Sequence, residues 1–412
     1  MLAILSTHPI QYQIPLWQAL AQDNSVPFEV WYLTDHGTRP SFDEQFGREF
    51  AWDIDTLSGY QYRFLKVNSG AKINQFTRTR LAEPLEQLFK TKNVTALWIQ
   101  GWQVLAYWQA VWQAGHVNIP VWLRGESNDL APLPWWKARL KRPILKRLFR
   151  RIDHFLYIGE SNRRLYEKFG VRPEQLHPAP YCVDNHRFAS QAELLRSQRS
   201  QIRREWKIAD DAFCILFAGK LISKKRPFDL LSAAGSPLLK KIGRPLHLLF
   251  VGTGEYDLPL RQKSCIAYDA ENLAVINEMP VACELQEGPL PVASFAGFLN
   301  QSEISKAYVA ADCLVLPSNH LETWGLVVNE AMASGLPCIV SDACGCCEDL
   351  VSPLNPDYCF RMGNPDSLAN SIRRLLEQPP APAALAAHIS KFSIQASVDT
   401  VKNLYLTTKK NS

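Results

Sequence analysis

Two glutamates eight positions apart, Glu322 and Glu330, stand out in the stretch LETWGLVVNEAMASG, residues 321–335. A helix that needs only to be soluble sets its charges along one outer face. Here Glu330 falls among Leu326, Val327, Val328, Ala331 and Met332, and Glu322 precedes the helix that this run predicts. Carboxylates in such company accept hydrogen bonds or pair with cations. Cations are available in FAGKLISKKRP, where an apolar run ends at Gly219 and is followed by Lys220 and, five residues on, Lys225. A glycine lets a ligand approach the backbone, and two ammonium groups at a strand's carboxyl end suit a diphosphate. A solvated lysine cluster before a helix is the competing reading.

Other candidates are weaker in pattern. VGTGE (251–255) offers Gly252 and Gly254 after a strand but has Asp257 where a dinucleotide fingerprint needs its third glycine, so a tight turn is expected. Asp53 and Asp55 in WDID could hold a divalent metal on a diphosphate, but spacings of this kind are common by chance, and no metal site is expected. Cys344, Cys346 and Cys347 lack the C-x-x-C spacing of zinc or iron–sulfur ligands and read as a glycine-centred loop entering a helix. His8, in STHPIQY, ends the first strand, where it can act on a proton, hold a hydroxyl or cap the loop. Arg124 and Glu126, in RGES, end another strand and suit acceptor or phosphate contacts.

These groups need elements to position them. The runs LAILST, FEVWYLT (28–34), TALWIQ (95–100), VWLRG (121–125) and HFLYIGE (154–160) read as buried strands separated by helical patterns such as LAYWQAVWQAG. FCILFAGK (213–220), LHLLFVGTG (246–254), VASFAGF (292–298), CLVLPS (313–318) and PCIVSD (337–342) form a second series. Continuous apolar strands alternating with helices indicate parallel sheets covered on both faces, hence two Rossmann-like α/β domains. Residues 1–187 are expected to form the first and 205–385 the second, with 183–205 connecting them and the last helix (390–412) packing back on the first. Such domains bind ligands at the carboxyl ends of their strands, here in a central cleft.

Of the 412 residues 47% are hydrophobic and 21% charged, an ordinary globular balance. No apolar run of membrane-spanning length occurs, no secretory leader is expected at the start, and the ten cysteines fit a reducing compartment, so a cytoplasmic location is expected. The net charge of +5 is concentrated in KARLKRPILKRLFRR (137–151), with eight Lys or Arg and no acid, just after Trp135 and Trp136. With Leu140, Ile144, Leu145, Leu148 and Phe149 near helical spacing, this stretch reads either as a peripheral anchor on an anionic membrane's inner face or as a solvated amphipathic helix. Pro143 is expected at a first turn or a kink. No nucleic-acid partner is expected.

Taken in order, FAGKLISKKRP, LHLLFVGTGE, VASFAGFLNQSEISKAYVAADCLVLPS and ETWGLVVNEAMASGLPCIVSD resemble the retaining family 4 glycosyltransferases, whose architecture is GT-B. THPIQYQIP, WDIDTLSGY, PVWLRGES and YCVDNHRF extend the resemblance to a narrower subset in the first half. The resemblance implies that Glu330 binds the ribose hydroxyls of a nucleotide-sugar, UDP- or GDP-linked, and that Glu322 contacts the sugar near its reacting carbon. Lys220 and Lys225 match the basic pair on the diphosphate; the first is more often Arg, and Lys lacks its bidentate fork. Backbone amides of Trp324, Gly325, Leu326 and Val327 at the helix start would receive sugar hydroxyls and diphosphate. The eight-residue interval is then a ruler for the donor. The implied activity is metal-independent, cofactor-free transfer of a hexose-type sugar, with retention, to a glycan or lipid-linked glycan. A catalytically idle sugar-nucleotide-binding protein is the alternative, and a nicotinamide dehydrogenase lacks a complete fingerprint. Two departures concern the acceptor side. HPIQYQIP has no glycine where the family's loop is glycine-rich, and the family's histidine is absent from LRGES, which leaves His8, Arg124 and Glu126 as candidates.

Overall fold

The computed structural model describes residues 1–38, 41–43, 48–50, 55–68, 70, 75–132, 134–271, 284–285 and 288–410. The chain divides into two compact units, one of residues 1–41, 54–182 and 393–412, the other of 42–53 and 183–392.

The first unit is built on a parallel sheet of seven strands: β1 (Leu2–Ser6), β2 (Phe28–Tyr32), β3 (Tyr62–Phe64), β4 (Ala96–Ile99), β5 (Val121–Leu123), β6 (His154–Tyr157) and β7 (Leu176–Pro178), in the order β3-β2-β1-β4-β5-β6-β7. Successive side chains of a strand point to opposite faces, so β1 sends Leu2 and Ile4 into one core and Ala3 and Leu5 into another. That double burial is why the strand sequences are continuously apolar. Trp17, Trp31, Trp98 and Trp122 are fully buried, and Trp17 meets Trp98 edge-on at 5.5 Å. Ten of the twelve tryptophans fall within residues 1–136, and these four fill the cores, where each large side chain contributes about 1.5–3 kcal/mol by burial. The helix Ile394–Lys410 belongs to this unit and supplies Val398, Val401, Leu404 and Tyr405 to one core. Thr400 Oγ1 donates to the Pro178 carbonyl (2.6 Å), and Lys402 pairs with Asp23 (3.1 Å).

The second unit carries another seven-stranded parallel sheet: β8 (Phe213–Ala218), β9 (Leu246–Val251), β10 (Cys265–Asp269), β11 (Val292–Phe295), β12 (Cys313–Leu316), β13 (Cys338–Ser341) and β14 (Cys359–Phe360), in the order β10-β11-β9-β8-β12-β13-β14. Residues 183–205 are not a bare connection. They form the helices Asn185–Arg196 and Arg199–Glu205, and Arg199 and Arg203 bind Asp312 of the same unit (2.8 and 3.6 Å). In each sheet the order reverses beside the first strand of its unit, between β1 and β4 and between β8 and β12. Carboxyl ends of strands on either side of such a reversal diverge and leave room for a ligand.

The basic stretch lies in the helix Trp135–Phe149, and Pro143 sits inside it, not in its first turn. Leu145, Leu148 and Phe149 are buried, whereas Ile144 is 57%, Trp136 50% and Trp135 75% exposed. The side chain of Leu140 lies outside those described.

Candidate active site

The reversal in the second sheet falls between the carboxyl ends of β8 and β12, and the expected donor residues follow those ends. Past β8 the chain enters Gly219, whose φ of +144° belongs to the region glycine occupies freely. Past β9 comes Gly252 (φ +126°), where a Cβ would stand 2.1 Å from the Gly219 carbonyl oxygen. Only glycine permits this approach, and Gly219 N–H to Val251 O (2.9 Å) and Leu221 N–H to Thr253 O (2.9 Å) hold the two loops together. Lys220 is half-buried at this end. A short 3₁₀ turn, Ser223–Lys225, then turns both its lysines toward the loop after β12.

There the second group of residues meets them. Glu322 is 7% exposed, with Lys225 Nζ 2.5 Å from Oε2 and Lys224 Nζ 3.6 Å from Oε1. Burial, the largest influence, would raise this carboxyl's pKa. The fields of Lys225 and then Lys224 outweigh it and hold the group below the ordinary carboxylate value, so it stays ionised. The loop is fixed from both sides. Asn319 N–H donates to the Lys224 carbonyl (2.9 Å), and the Glu322 and Trp324 carbonyls accept from Gly345 and Cys346 N–H (3.3 and 3.2 Å).

Gly325 then begins the helix Leu326–Ala333. Its φ is +111°, and a Cβ there would stand 2.6 Å from Leu316 Cδ2, so the loop closes on β12 only with glycine. The first-turn amides of such a helix, Leu326 and Val327 among them, lack acceptors one turn back and carry the positive end of its dipole. Trp324 serves differently. Its ring is 1% exposed and its Nε1–H donates to Asn329 Oδ1 (2.8 Å), so its side chain is a core wedge and only its backbone borders the turn. Glu330, 3% exposed, accepts from the Tyr308 hydroxyl at 2.5 Å. A cluster of cations and an amide-rich helix end beside a buried carboxylate can hold an anionic group and orient hydroxyls around it.

Sequence reading missed Lys224 and Tyr308. Lys224 was visible as a second lysine in SKK, but that two adjacent lysines both face the site depends on a 3₁₀ turn. Tyr308 reaches Glu330 from the helix Ser305–Ala310, a pairing across 22 residues that no local spacing announces.

In the first unit His8 follows β1, at that sheet's reversal. Its Nδ1 lies 2.9 Å from Thr7 Oγ1, and its ring is edge-on to His36 at 5.3 Å. Burial, then His36, lowers its pKa to about 4, which leaves a neutral imidazole at physiological pH. Arg124 is buried, with Nη2 3.4 Å from the Pro180 carbonyl and its guanidinium 5.2 Å from the Tyr181 ring centre. The Tyr181 hydroxyl donates to the exposed Glu126 (2.7 Å). Tyr181 therefore joins Arg124 to Glu126, and no contact among the described residues joins His8 to either. Asp53 lies outside the described residues, while Asp55 accepts from Leu57 N–H (3.0 Å). Among the described residues no three His, Cys, Asp or Glu side chains converge as metal ligands.

Comparison with known proteins accounts for both halves. Residues 198–392 match the family of glycosyl transferases group 1, and residues 29–182 match a glycosyl transferase 4-like domain. Residues 198–392 belong to the group 1 glycosyl transferases. A D-inositol 3-phosphate glycosyltransferase of Thermomonospora curvata is 28% identical over 258 residues, 61% of this chain and 56% of the relative. The chain spans about half the length of the curated relatives it matches. A glycosyltransferase from Rickettsia africae superposes with a TM-score of 0.68 at 13% identity, covering 100% of this chain and 99% of that one. Anabaena HepE, solved with UDP and glucose, gives 0.60 at 16% identity, covering 98% of each. These likenesses carry the fold, and it is the GT-B fold that the resemblance implied.

Proposed function

We propose that the protein is a retaining glycosyltransferase that moves a hexose-type sugar from a UDP- or GDP-linked donor to a glycan or lipid-linked glycan. The observation that carries this reading is the buried, ionised Glu322 held by Lys225 and Lys224 where the second sheet's order reverses. A structural neighbour was solved with UDP-glucose, which supports a donor of that class.

In this reading the leaving nucleoside diphosphate gathers negative charge as the sugar–phosphate bond breaks. Lys220, Lys225 and the amides at Leu326 and Val327 stabilise that charge, so the step proceeds without a metal. Lys225 is engaged with Glu322 in the structure, and donor binding shifts it toward the phosphates. Glu322 then faces the sugar and steadies the positive charge that develops at its reacting carbon. Glu330, oriented by Tyr308, accepts hydrogen bonds from the ribose hydroxyls. An acceptor hydroxyl attacks the face that the diphosphate leaves, which retains the anomeric configuration. Arg124, Glu126 and His8 serve the acceptor side. Because His8 is neutral, it can accept or donate a hydrogen bond to a hydroxyl without adding charge.

A cytoplasmic enzyme using a lipid-linked acceptor would work at the membrane's inner face. The exposed Trp135, Trp136 and Ile144, beside exposed Lys141, Arg142, Lys146 and Arg147, support that placement. Thermal stability against UDP, GDP, ADP, CDP and dTDP tests the donor reading. At a hundred times its Kd a nucleotide adds about 2.7 kcal/mol to the native state. Stabilisation by UDP or GDP alone is expected, and none from any nucleotide would remove the reading. Hydrolysis or transfer of the matching nucleotide-sugar then separates an enzyme from an idle binding protein.

A further inference from the structure

The turn beneath the Glu322 loop carries thiols for which glycosyl transfer has no use. Its Gly345 and Cys346 amides hold the Glu322 and Trp324 carbonyls, and Cys346 Sγ lies 3.4 Å from where a Cβ on Gly325 would stand. The next residue, Cys347, opens the π-helical turn Cys347–Val351, closed by Ser352 N–H to its carbonyl (2.9 Å). Cys347 is 5% exposed, and its Sγ lies 2.7 Å from Sγ of Cys359, twelve residues on and half-buried on the edge strand β14. A shift of less than about an ångström brings the sulfurs to bonding distance, ~2.05 Å.

We infer that Cys347 and Cys359 are a reversible dithiol–disulfide pair, and that its oxidation braces the turn on which the Glu322 loop rests. The oxidant class is a peroxide, which oxidises thiols directly. Cys359, the more accessible, is oxidised first. It gives up its proton, its thiolate attacks one peroxide oxygen, the O–O bond breaks, and the departing hydroxide takes up that proton, so a sulfenic acid and one water result. Cys347 then attacks that sulfur and displaces the hydroxyl, which leaves with the Cys347 proton as a second water. Two thiols and one peroxide give one disulfide and two waters, the two electrons passing from sulfur to oxygen. A small thiol in excess reverses the reaction.

The neighbouring thiols are engaged elsewhere. Cys344 contacts the Ser318 carbonyl (3.5 Å) and Ser341 Oγ (3.6 Å), and burial pushes its pKa up to about 12. Cys338 contacts the Leu336 carbonyl (3.5 Å). Protonated, enclosed thiols of this kind react slowly.

The test uses the full chain, reduced and then treated with equimolar hydrogen peroxide. Peptide mapping after alkylation is expected to show a Cys347–Cys359 cross-link that dithiothreitol removes. Hydrogen exchange at the Gly345 and Cys346 amides is expected to slow about tenfold on oxidation, because local opening of the turn is restricted. Cys359→Ser should lose both effects while its exchange matches the reduced protein. A cross-link between other cysteines, or both thiols still open to alkylation, would overturn the pairing. Unchanged exchange in a cross-linked chain would overturn the brace. No readout involves nucleotide or sugar, so the result is independent of the donor reading.

Discussion

The two sheets reverse their strand order at corresponding places, yet the chemistry at those places differs. At the second reversal, ammonium groups, a carboxylate and a glycine-opened helix end lie within a few ångströms, joined by ion pairs. At the first, a neutral histidine rests against another, and an arginine is covered by a tyrosine ring. A highly charged, invariable ligand such as a nucleoside diphosphate calls for charge arranged in advance. A polyhydroxyl acceptor calls for directed hydrogen-bonding groups and shape more than for a cluster of like charge. In the proposed reading, the contrast lets one sheet design serve two ligand chemistries through its strand-end loops.

The largest expected effect breaks the charged side. Lys225→Ala should lower kcat by about 10²–10³ by removing a charge partner of the transition state. It also leaves Glu322 with Lys224 alone, so equilibrium unfolding should be measured beside the kinetics. Arg124→Ala is the matched change in the first unit, and should act about tenfold on acceptor KM with kcat less affected. Equal losses of kcat from both variants would erase the distinction.

Backbone approach sharpens it next. Gly252→Ala forces a Cβ onto the Gly219 carbonyl at a positive φ and should cost about 3 kcal/mol in urea unfolding. The first-unit loop HPIQYQIP contains no glycine and has no such dependence.

Acid titration separates the groups by window. Glu322, held below its ordinary value of 4.5, contributes stability above that value and loses it only as pH falls through its lower folded value. His247 of the second unit is different. It is 3% exposed, bound to Ser294 Oγ at 2.8 Å, and lowered from 6.5 to about 4 by burial and then by Arg203. The folded state refuses a proton that the unfolded chain accepts, so stability is full above about 6.5 and declines from there to about 4, by about 3 kcal/mol at most. His247→Gln should flatten that slope in urea unfolding at pH 7 and 4.5. His8 is lowered in the same way, so an acid limb of activity near 6.5 would contradict its assigned neutrality.

The smallest effect concerns the exposed helix face. Trp135→Ala with Trp136→Ala should change stability by less than about 0.5 kcal/mol, since neither ring is buried. It should nonetheless reduce co-sedimentation with anionic vesicles. Undiminished co-sedimentation would return the helix to a solvated role.

Ten strands of the two sheets were legible as continuous apolar runs. The four that were not, β3, β7, β10 and β14, are the four sheet edges. Tyr62 and Phe64 of β3 remain exposed, and Leu176 and His177 of β7 are only half-buried. An edge strand buries too little to need an unbroken apolar sequence, and three of the four have only two or three residues, which resemble loop. The same logic governs the site. Glu330, a carboxylate amid apolar residues, Glu322 eight positions before it, and the tight turn at Gly252 were legible because such patterns are local, whereas the part of Gly325 came only from the resemblance. Lys224, Tyr308 and the burial of Trp324 depend on which side chain meets which across the fold, and spacing along the chain does not carry that.

The helix Ile394–Lys410 has a consequence for the order in which the molecule is made. Residues 183–392 form nearly all of one unit without interruption, and they leave the ribosome before that helix does. The first unit emerges earlier but lacks Val398, Val401, Leu404 and Tyr405 of its core until residues 394–410 arrive. Domains fold as they are synthesised when their sequence is at hand. Here the half made first is the half completed last, and it waits with an apolar face open for more than two hundred residues of translation.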